Sequence, residues 1–386
     1  MERKLAKRAL KYAQISQRSR LIEEANKVPN KISLARGDPD LDTPVHIIEA
    51  GKEALDKGYT HYTPWAGLPE LREAIAKKES EKKKILFYPD EVLVTTGAQE
   101  AIYLIMLTFL DPGDEVIVPE PRYTPYDRMI NLCGGVVVPV PCYEEDGFQV
   151  RPDLIRKAIT PRTKFILIVS PNNPTGTVLS DSTVEEIAKI AKEHDLIIIS
   201  DEIYSELVFD NRKAKTVAEF SEMKQNVIVV SGFSKTYSMT GWRVGYLLAP
   251  SPIIKRMSEF KYSITISAPS MSQYAALAAL RGPQDCVEQA RKIYQQRRDY
   301  ISERLSKLKV GYHKPEGGLF LFANIKKYGM SSFDFCLKLL KEAGVFIFPG
   351  TAFGEMGEGY VRISMLRPLE ELREAFDRIE VFFKKV

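Results

Sequence analysis

Short apolar runs separated by helix-like stretches dominate the central part of the chain. KFILIVSP, DLIIISDE and NVIVVSG are rich in β-branched residues and end at small or polar residues, which is typical of strands. The last of them predicts a strand over Asn226–Val230, punctuated by Ser231 and Gly232. Segments such as AQEAIYLIMLTFL and STVEEIAKIAKEHD lie between runs of this kind and predict helices. Because strands that are apolar along their whole length are buried on both faces, the pattern predicts an α/β fold with a mostly parallel sheet covered by helices on both faces.

The chain divides into three predicted parts. Residues 46–283 contain the alternating pattern and predict a large domain. Beyond them come a long charged helix and the segments GLFLFANI, VFIFP and YVRISM, which predict a smaller α+β domain at residues 284–386. Residues 1–45 have no strand–helix unit of their own, so we expect them to pack with the small domain. Inside the large domain, one helix is predicted to begin near Leu68 and Pro69, and another to carry a capping box formed by Ser182 and Glu185.

Composition and charge exclude several classes of partner. The 386 residues include 55 basic and 51 acidic side chains, and this near balance gives no case for a nucleic-acid partner. No apolar stretch approaches the roughly 20 residues that span a bilayer, and the basic start MERKLAKRALKYAQISQRSR lacks the apolar centre of a signal peptide. The four cysteines show no CxxC spacing and the four histidines are scattered, so we expect reduced thiols, no metal site and a cytoplasmic location.

Polar and reactive side chains follow five of the predicted strands. In open α/β sheets, ligands bind beyond the carboxyl ends of the strands, so these residues are expected to share one site. They are Gly97, Ala98 and Gln99 at the start of a helix, then Arg122 and Tyr123, then Asn172, Asn173, Pro174, Thr175 and Gly176, then Asp201, Glu202 and Tyr204, and finally Lys235 and Arg243. The set contains no GxGxxG, no Walker loop and no Ser/His pairing, so dinucleotide, P-loop and hydrolase functions lack their signatures.

The residue types in this set favour one cofactor. A helix N-terminus together with Arg243 suits a phosphate group. A lysine at a strand end, Lys235, suits covalent bonding to an aldehyde, and an aspartate such as Asp201 can keep a pyridinium nitrogen protonated. Taken singly, each residue also has a structural interpretation as a cap, a turn residue, a core aromatic or an ion-pair partner. Taken together, they predict a site for pyridoxal phosphate.

Four motifs in order resemble the fold-type I pyridoxal-phosphate enzymes of the aspartate aminotransferase family, class I/II. SGFSKTYSMTGWRVGY is similar to the cofactor-lysine motif, SPNNPTG to the asparagine motif, DEIYSEL to the aspartate and tyrosine motif, and YVRIS to the substrate-arginine motif. The resemblance extends from LARGDPDLDTP to the C-terminal helix. It implies pyridoxal 5′-phosphate as cofactor, a homodimer with shared active sites, and ping-pong transfer of an amino group from an L-amino acid to a 2-oxo acid. Glutamate and 2-oxoglutarate would form one couple, and aspartate or an aromatic amino acid would belong to the other.

The resemblance also assigns roles residue by residue. Lys235 resembles the lysine that bonds to the cofactor and later moves a proton, Asp201 the partner of the pyridinium nitrogen, and Tyr204 a tyrosine that bonds the phenolic oxygen of the cofactor. The remaining cofactor contacts that it implies are Asn173 at the same oxygen, Tyr123 on the ring face, Ala98, Gln99, Ser234 and Arg243 at the phosphate, and Tyr62 from the partner subunit. The implied substrate contacts are Gly37, Tyr123, Asn173 and Arg362, the last as a clamp on the α-carboxylate.

Several positions depart from the family pattern and bear on the substrate. Many relatives carry a serine where this chain has Gly232, so we expect Ser234 to contact the phosphate. Some bacterial aspartate enzymes carry a lysine in place of Gln99, which puts that way of binding a distal carboxylate in doubt. Arg36 either reads a distal carboxylate or pairs with Asp38 or Asp40 in RGDPD. Trp65, beside the Tyr62 that is expected to reach the partner subunit's site, could instead form an apolar wall that favours aromatic substrates.

Two other functions remain open at this point. A carbon–sulfur β-lyase on the same fold would use the same lysine, aspartate and arginines, because it begins with the same proton abstraction. A regulatory domain that borrows the fold would need a DNA-binding module, for which the roughly 40 residues before the first strand–helix unit are too few.

Overall fold

The computed structural model describes residues 4–6, 9 and 17–384. The strands are β1 (Ile32–Ser33), β2 (Val92–Thr95), β3 (Glu115–Glu120), β4 (Val136–Pro141), β5 (Thr163–Val169), β6 (Ile197–Asp201), β7 (Val227–Gly232), β8 (Gly245–Leu248), β9 (Gly311–Tyr312), β10 (Phe320–Asn324), β11 (Val345–Phe346), β12 (Phe348–Pro349) and β13 (Tyr360–Ser364). The α-helices are α1 (Gln17–Asn26), α2 (Val45–Asp56), α3 (Pro69–Lys83), α4 (Ala98–Phe109), α5 (Pro125–Leu132), α6 (Pro152–Ala158), α7 (Asp181–Glu193), α8 (Ser251–Ile264), α9 (Ser270–Arg281), α10 (Asp285–Lys307), α11 (Ser332–Ala343) and α12 (Leu369–Phe383). Short 3₁₀ helices occupy Pro89–Glu91, Glu144–Asp146, Val217–Glu219, Ser221–Met223, Lys326–Tyr328 and Glu355–Gly357.

Within the described chain, a sheet of seven strands forms the centre of the fold. Its order is β2-β8-β7-β6-β5-β3-β4, and only β8 runs antiparallel to its neighbours. Successive side chains of β5 enter two different cores: Phe165 and Leu167 pack in one, and Ile166 and Ile168 in the other. Helices α4 and α8 contribute to the first core and α7 to the second, so both faces of the sheet are covered. The predicted mostly parallel, doubly covered α/β sheet is confirmed.

A second, smaller group of strands lies in the C-terminal part of the chain. β12, β13, β10 and β9 form an antiparallel sheet, in which Arg362 of β13 lies between Phe322 of β10 and Phe348 of β12. Strand β1 pairs in parallel with β11, Ile32 opposite Val345, so a segment from the N-terminal part of the chain joins the C-terminal part. The domain boundaries at residues 45 and 283 stay predictions. No helix of the described residues is long and apolar enough to cross a membrane.

Two local predictions need correction. The capping box of Ser182 and Glu185 is wrong: helix α7 begins at Asp181, and the Oγ atom of Ser180 accepts a hydrogen bond from the backbone N–H of Thr183. Glu185 pairs with Lys215 instead. The strand predicted over Asn226–Val230 runs from Val227 to Gly232, because Ser231 and Gly232 pair with residues of β8.

The helix predicted near Leu68 and Pro69 is confirmed, and it begins at Pro69.

Candidate active site

A cavity of about 510 Å³ opens beyond the carboxyl ends of the sheet strands. Residues that follow β2, β3, β5, β6 and β7 line one side of it, and residues of β10 and β13 line the other. The predicted site residues that line it are Gly37, Ala98, Gln99, Tyr123, Asn173, Asp201, Tyr204, Ser234, Lys235, Arg243 and Arg362. Residues scattered over more than 300 positions of sequence therefore meet at one place, as expected for an open α/β sheet.

Lys235 lies in the turn that follows β7. Its Nζ atom donates a hydrogen bond of 2.5 Å to the backbone carbonyl of Gly37. Burial lowers its pKa to about 8; the carboxylate of Asp38 opposes this shift, and the charges of Arg362 and Arg243 add to it. A substantial fraction of the amine is therefore neutral at mildly alkaline pH, which is the form that attacks an aldehyde.

Asp201 is the last residue of β6 and is buried at the cavity wall. Its Oδ2 atom accepts a hydrogen bond of 2.6 Å from the hydroxyl of Tyr126, and its Oδ1 atom accepts one of 3.1 Å from the backbone N–H of Ile203. Burial raises the pKa of Asp201 to about 6, although the Tyr126 bond acts in the opposite direction. A cationic ring nitrogen placed beside this carboxylate would favour its charged form.

Arg362 lies in the middle of β13 and is almost fully buried. Its guanidinium carbon lies 4.0 Å from the ring centre of Phe320 and 4.6 Å from that of Phe353. One terminal nitrogen, Nη1, donates to Oδ1 of Asn173 at 3.1 Å, and Nη2 donates to the carbonyl of Ala35 at 2.7 Å. The buried Nε has no hydrogen-bond partner among the described residues, and burial lowers the pKa to about 9. A buried cation with an unpaired donor favours an anionic ligand such as a carboxylate.

The start of helix α4 is suited to binding an anion. The helix begins at Ala98, and no side chain of the described residues caps it, so its N-terminal N–H groups and positive dipole end are available. Gly97 has φ +79°, and a Cβ atom there would lie 2.8 Å from Nη2 of Arg243. A Cβ atom on Gly245 would lie 2.7 Å from the backbone nitrogen of Ala98. Glycine at both positions thus leaves room for a close approach of backbone, Arg243 and a ligand phosphate.

Glu100 stabilises the turn that precedes helix α4. Its Oε2 atom accepts hydrogen bonds from the backbone N–H of Thr96 at 2.5 Å and from Nζ of Lys261 at 2.9 Å. Its Oε1 atom accepts a bond of 2.5 Å from the hydroxyl of Thr265. Lys261 and Glu100 are both largely removed from solvent, so this ion pair fixes helix α8 against the turn that precedes α4.

Two tyrosines of the predicted site, Tyr123 and Tyr204, line the cavity. Tyr204 is buried beside Phe320, their ring centres 6.2 Å apart in an edge-on arrangement, and burial raises its pKa. A hydrogen bond with Asn173 acts against that shift. Tyr123 packs edge-on against Tyr126 at 5.3 Å, so Tyr126 supports both Tyr123 and Asp201.

Two predicted residues, Arg36 and Tyr62, do not line this cavity. Nη2 of Arg36 donates to Oδ2 of Asp38 at 3.0 Å, and both side chains are about half exposed. Of the two interpretations of Arg36, the structure therefore supports the ion pair, and it selects Asp38, since Asp40 is held by Arg297 at 2.7 and 2.8 Å. Tyr62 is 78% exposed.

The aromatic residue Trp65 also lies outside the cavity. It packs against Tyr262 in a tilted arrangement with ring centres 4.6 Å apart, and both side chains are about half exposed. It does not form an apolar wall of the cavity in this chain. The departure at Gly232 has a steric basis: Gly232 pairs directly with Gly245, and a Cβ atom on it would lie 3.1 Å from the Cα atom of Gly245.

Sequence reasoning missed several residues that line the cavity. They include Arg18, Asp38, Tyr126, Thr240, Phe320 and Phe353. Asp38 had a signal, because it follows Gly37 directly in RGDPD and could have been placed with it. Arg18 had none, because it belongs to a basic N-terminal run whose pattern indicates only a solvated helix.

The fold and the site together define a fold-type I aminotransferase. A family model described as aminotransferase class I and II matches residues 29–379. The chain is 44% identical over 364 residues to an aspartate aminotransferase of Pyrococcus abyssi, covering 94% of each chain. It is 42% identical over 369 residues to aromatic-amino-acid aminotransferase 2 of Thermococcus litoralis, covering 95% of each. The crystal structure of an aromatic aminotransferase from Pyrococcus horikoshii is similar with a TM-score of 0.91 at 43% identity, over 95% of this chain and 99% of that one.

The chain therefore belongs to the class I and II aminotransferases, a family that uses pyridoxal phosphate. It is a transaminase that acts on amino acids and 2-oxo acids, as the sequence predicted. The relatives are named as aminotransferases, so the β-lyase alternative is not favoured.

Proposed function

We propose that this chain binds pyridoxal 5′-phosphate in the 510 Å³ cavity and moves the amino group of an L-amino acid to a 2-oxo acid by a ping-pong mechanism. Glutamate and 2-oxoglutarate form one couple, and aspartate or an aromatic amino acid belongs to the other. The observation that carries the proposal is the position of Lys235, a buried amine of lowered pKa in the same cavity as the buried carboxylate of Asp201 and the buried guanidinium of Arg362.

The residues of the cavity fit the parts of that cofactor. The N-terminal N–H groups of Ala98 and Gln99, with Ser234 and Arg243, suit the phosphate, and the close packing that only glycine allows at Gly97 leaves space for it. Asp201 suits the ring nitrogen, since a buried carboxylate of raised pKa is stabilised by a cation. When bound, the cofactor supplies the electron sink that makes the Cα proton of the amino acid acidic.

The remaining steps are carried out by side chains of this chain. Arg362 binds the α-carboxylate, and its hydrogen bond to Asn173 fixes the orientation of the guanidinium. Lys235 takes up the Cα proton at Nζ and returns it later in the cycle, which its lowered pKa favours near neutral pH. Tyr204 and Asn173, which line the cavity, would hold the phenolic oxygen of the cofactor, and Tyr123 would hold its ring. Gly37 lines the same cavity, and its backbone would face the substrate.

A homodimer with shared sites is part of the proposal. Tyr62 is exposed and lies outside the cavity of its own chain, so it is available to the cavity of a partner. Other large apolar side chains are also exposed, among them Trp65 and Tyr262, which pack against each other, and Phe260 and Ile264 of helix α8. Exposed apolar surface of this kind marks an interface. The free cysteines Cys133, Cys142, Cys286 and Cys336 of the described chain support the proposed cytoplasmic location.

A half-reaction without acceptor tests the proposed activity. The purified protein with bound cofactor is mixed in turn with aspartate, glutamate, phenylalanine, leucine and alanine, and the visible absorption is followed. We expect loss of the starting band and release of one equivalent of 2-oxo acid. Lys235→Ala should abolish this reaction, whereas Lys255→Ala, at an exposed lysine, should not. Continuous formation of pyruvate from cystathionine would establish the lyase instead, and absence of a visible band with added cofactor would refute cofactor binding.

A mixing experiment tests the shared sites. Lys235→Ala and Tyr62→Ala chains are each expected to be impaired alone. If sites are shared, a mixed dimer regains one intact site, so activity should rise after the two variants are unfolded and refolded together. No rise, or a protein that sediments as a monomer, would contradict the proposed dimer.

A further inference from the structure

Arg18 lines the cavity but has no role in the proposed contacts to the cofactor or to the α-carboxylate. It lies on helix α1, whose residues Leu21 and Ala25 are buried. Positions three and seven residues apart lie on one face of a helix, so the buried face of α1 is also the face that carries Arg18. The helix is thereby anchored to the protein, and Arg18, although its side chain keeps exposed surface, lines the cavity.

The guanidinium of Arg18 has no acidic partner in the described part of the chain, where no carboxylate lies within salt-bridge distance of it. Its guanidinium carbon instead packs 4.7 Å from the ring centre of Phe348. Burial lowers its pKa, and the charge of Arg128 acts in the same direction, whereas Tyr123 acts in the opposite one. A cation in such surroundings is stabilised by an anionic ligand.

The charges around the cavity leave one cation without a counterpart. Its cationic side chains among the described residues are Arg18, Lys235, Arg243 and Arg362, and its acidic ones are Asp38 and Asp201. Asp38 is engaged by Arg36 and by the hydroxyl of Thr240. With Lys235 bonded to the cofactor, a phosphate at Arg243 and an α-carboxylate at Arg362 leave Arg18 as the remaining described cation of the cavity for a further negative charge.

Arg18 and Arg362 pack against the same aromatic ring. Their guanidinium carbons lie 4.7 Å and 5.5 Å from the ring centre of Phe348, so they are at most about 10 Å apart, a separation that a short diacid held by a guanidinium at each end can bridge. Phe348 is itself the cross-strand partner of Arg362, which fixes the ring relative to that arginine.

We propose that Arg18 determines specificity by binding the distal carboxylate of a dicarboxylic amino acid or 2-oxo acid while Arg362 binds the α-carboxylate. The proposal rests on the proposed function of this cavity. In this proposal Arg18, and not Arg36, binds the distal carboxylate of the substrate, since Arg36 is paired with Asp38.

The test compares Arg18→Gln and Arg18→Lys with Arg20→Gln in the protein with bound cofactor. Arg20 is a matched control on the same helix: like Arg18 it is exposed, but it packs over Phe333 and does not line the cavity. Two quantities are measured, the ratio of half-reaction kcat/KM for glutamate over alanine, and the Kd of maleate, a diacid without an amine. Alanine has the α-carboxylate but no distal one.

We expect Arg18→Gln to lower the glutamate-to-alanine ratio and to weaken maleate by about ten- to a hundredfold, the value of a charged hydrogen bond. Arg18→Lys should recover part of both, because it restores the charge without the planar fork. Arg20→Gln should change neither quantity.

The possible failures are distinct. An unchanged ratio and unchanged maleate binding in Arg18→Gln would overturn the proposal, as would equal losses for glutamate and alanine, which indicate a structural role. A wild-type protein that converts alanine or phenylalanine but not glutamate or aspartate would overturn it while leaving the transaminase in place. If no amino acid reacts, the proposed function fails, and maleate binding still reports on Arg18 because it requires no turnover.

Discussion

A buried ion network behind the candidate site provides a strong test of the structure. Lys83, at the end of α3, has a side chain with no exposed surface. Its Nζ atom donates to Oε2 of Glu79 at 2.5 Å and to Oε2 of Glu202 at 2.8 Å. Tyr246 donates to the other oxygen of Glu79 at 2.6 Å, and Thr216 to that of Glu202 at 2.5 Å. Lys83 therefore forms direct ion pairs with two buried carboxylates whose remaining oxygens already accept other hydrogen bonds.

Replacing Lys83 with methionine keeps most of the volume but leaves Glu79 and Glu202 without their cation. Removal of one partner from a buried ion pair costs about 3–5 kcal/mol, because the remaining charge stays buried. We expect the free energy of unfolding at pH 8 to fall by that amount.

The pH dependence of the loss separates this cause from simple loss of packing. Burial raises the pKa of Glu79, but the charges of Lys83, Lys82 and Lys78 together outweigh burial, with Lys83 the strongest of the three, and the net pKa is lowered. In the native chain the pair therefore stabilises above the ordinary carboxyl pKa of 4.5, and the contribution is lost as pH falls. Without Lys83, the strongest influence that lowers the pKa of Glu79 is removed and burial raises that pKa relative to the native chain, so folding takes up protons and the deficit of Lys83→Met should shrink from pH 8 to pH 6.

Urea unfolding at pH 8 and pH 6, with the cofactor concentration held constant, measures this deficit. Lys77→Met is the matched control, since Lys77 is an exposed lysine of the same helix. Because Glu202 follows Asp201 directly, Lys83→Met is also expected to shift the absorption of the bound cofactor. A deficit below about 1 kcal/mol, as for surface substitutions, would refute the reasoning, and so would a deficit equal at both pH values.

Three further outcomes follow from the site. Covalent uptake of cofactor by the apoprotein should accelerate with pH through about 8, the lowered pKa of Lys235, and a midpoint near 10.5 in stopped-flow absorbance would contradict this. Arg362→Lys should raise KM for every amino-acid donor by about ten- to a hundredfold, because one ammonium cannot replace the planar fork, and an unchanged KM would place the α-carboxylate elsewhere. Gly97→Ala should raise the measured Kd of the cofactor by about tenfold or more, because Gly97 has a positive φ and a Cβ atom there would contact Arg243. Gly113→Ala is the control: Gly113 also has a positive φ, but its surroundings are open, so the Kd should stay unchanged.

The chain order of strand ends was enough to predict most of the site. Lys235, Asp201 and Asn173 each lie at the end of a strand or a few residues beyond it, and parallel strands bring their carboxyl ends to one edge of a sheet. Local composition also predicted where α3 begins, because proline is favoured at the first position of a helix. Local pattern was insufficient at α7, where Ser180 and Ser182 are both capable caps and the backbone conformation selects Ser180.

The sequence by itself determined the class of fold, the edge of the sheet at which the site lies, and the residue types for the cofactor, because these depend on periodicity and on motifs of consecutive residues. The tertiary structure alone decided which distant side chains meet: Tyr126 with Asp201, Lys83 with Glu202, and Arg18 with the ring of Phe348. These contacts join separate elements through packing, and neither partner carries a local signal for the other. Arg36 shows the opposite case. Its position next to Gly37 in the sequence suggested a contact with the substrate, but in the structure its side chain pairs with the nearby carboxylate of Asp38.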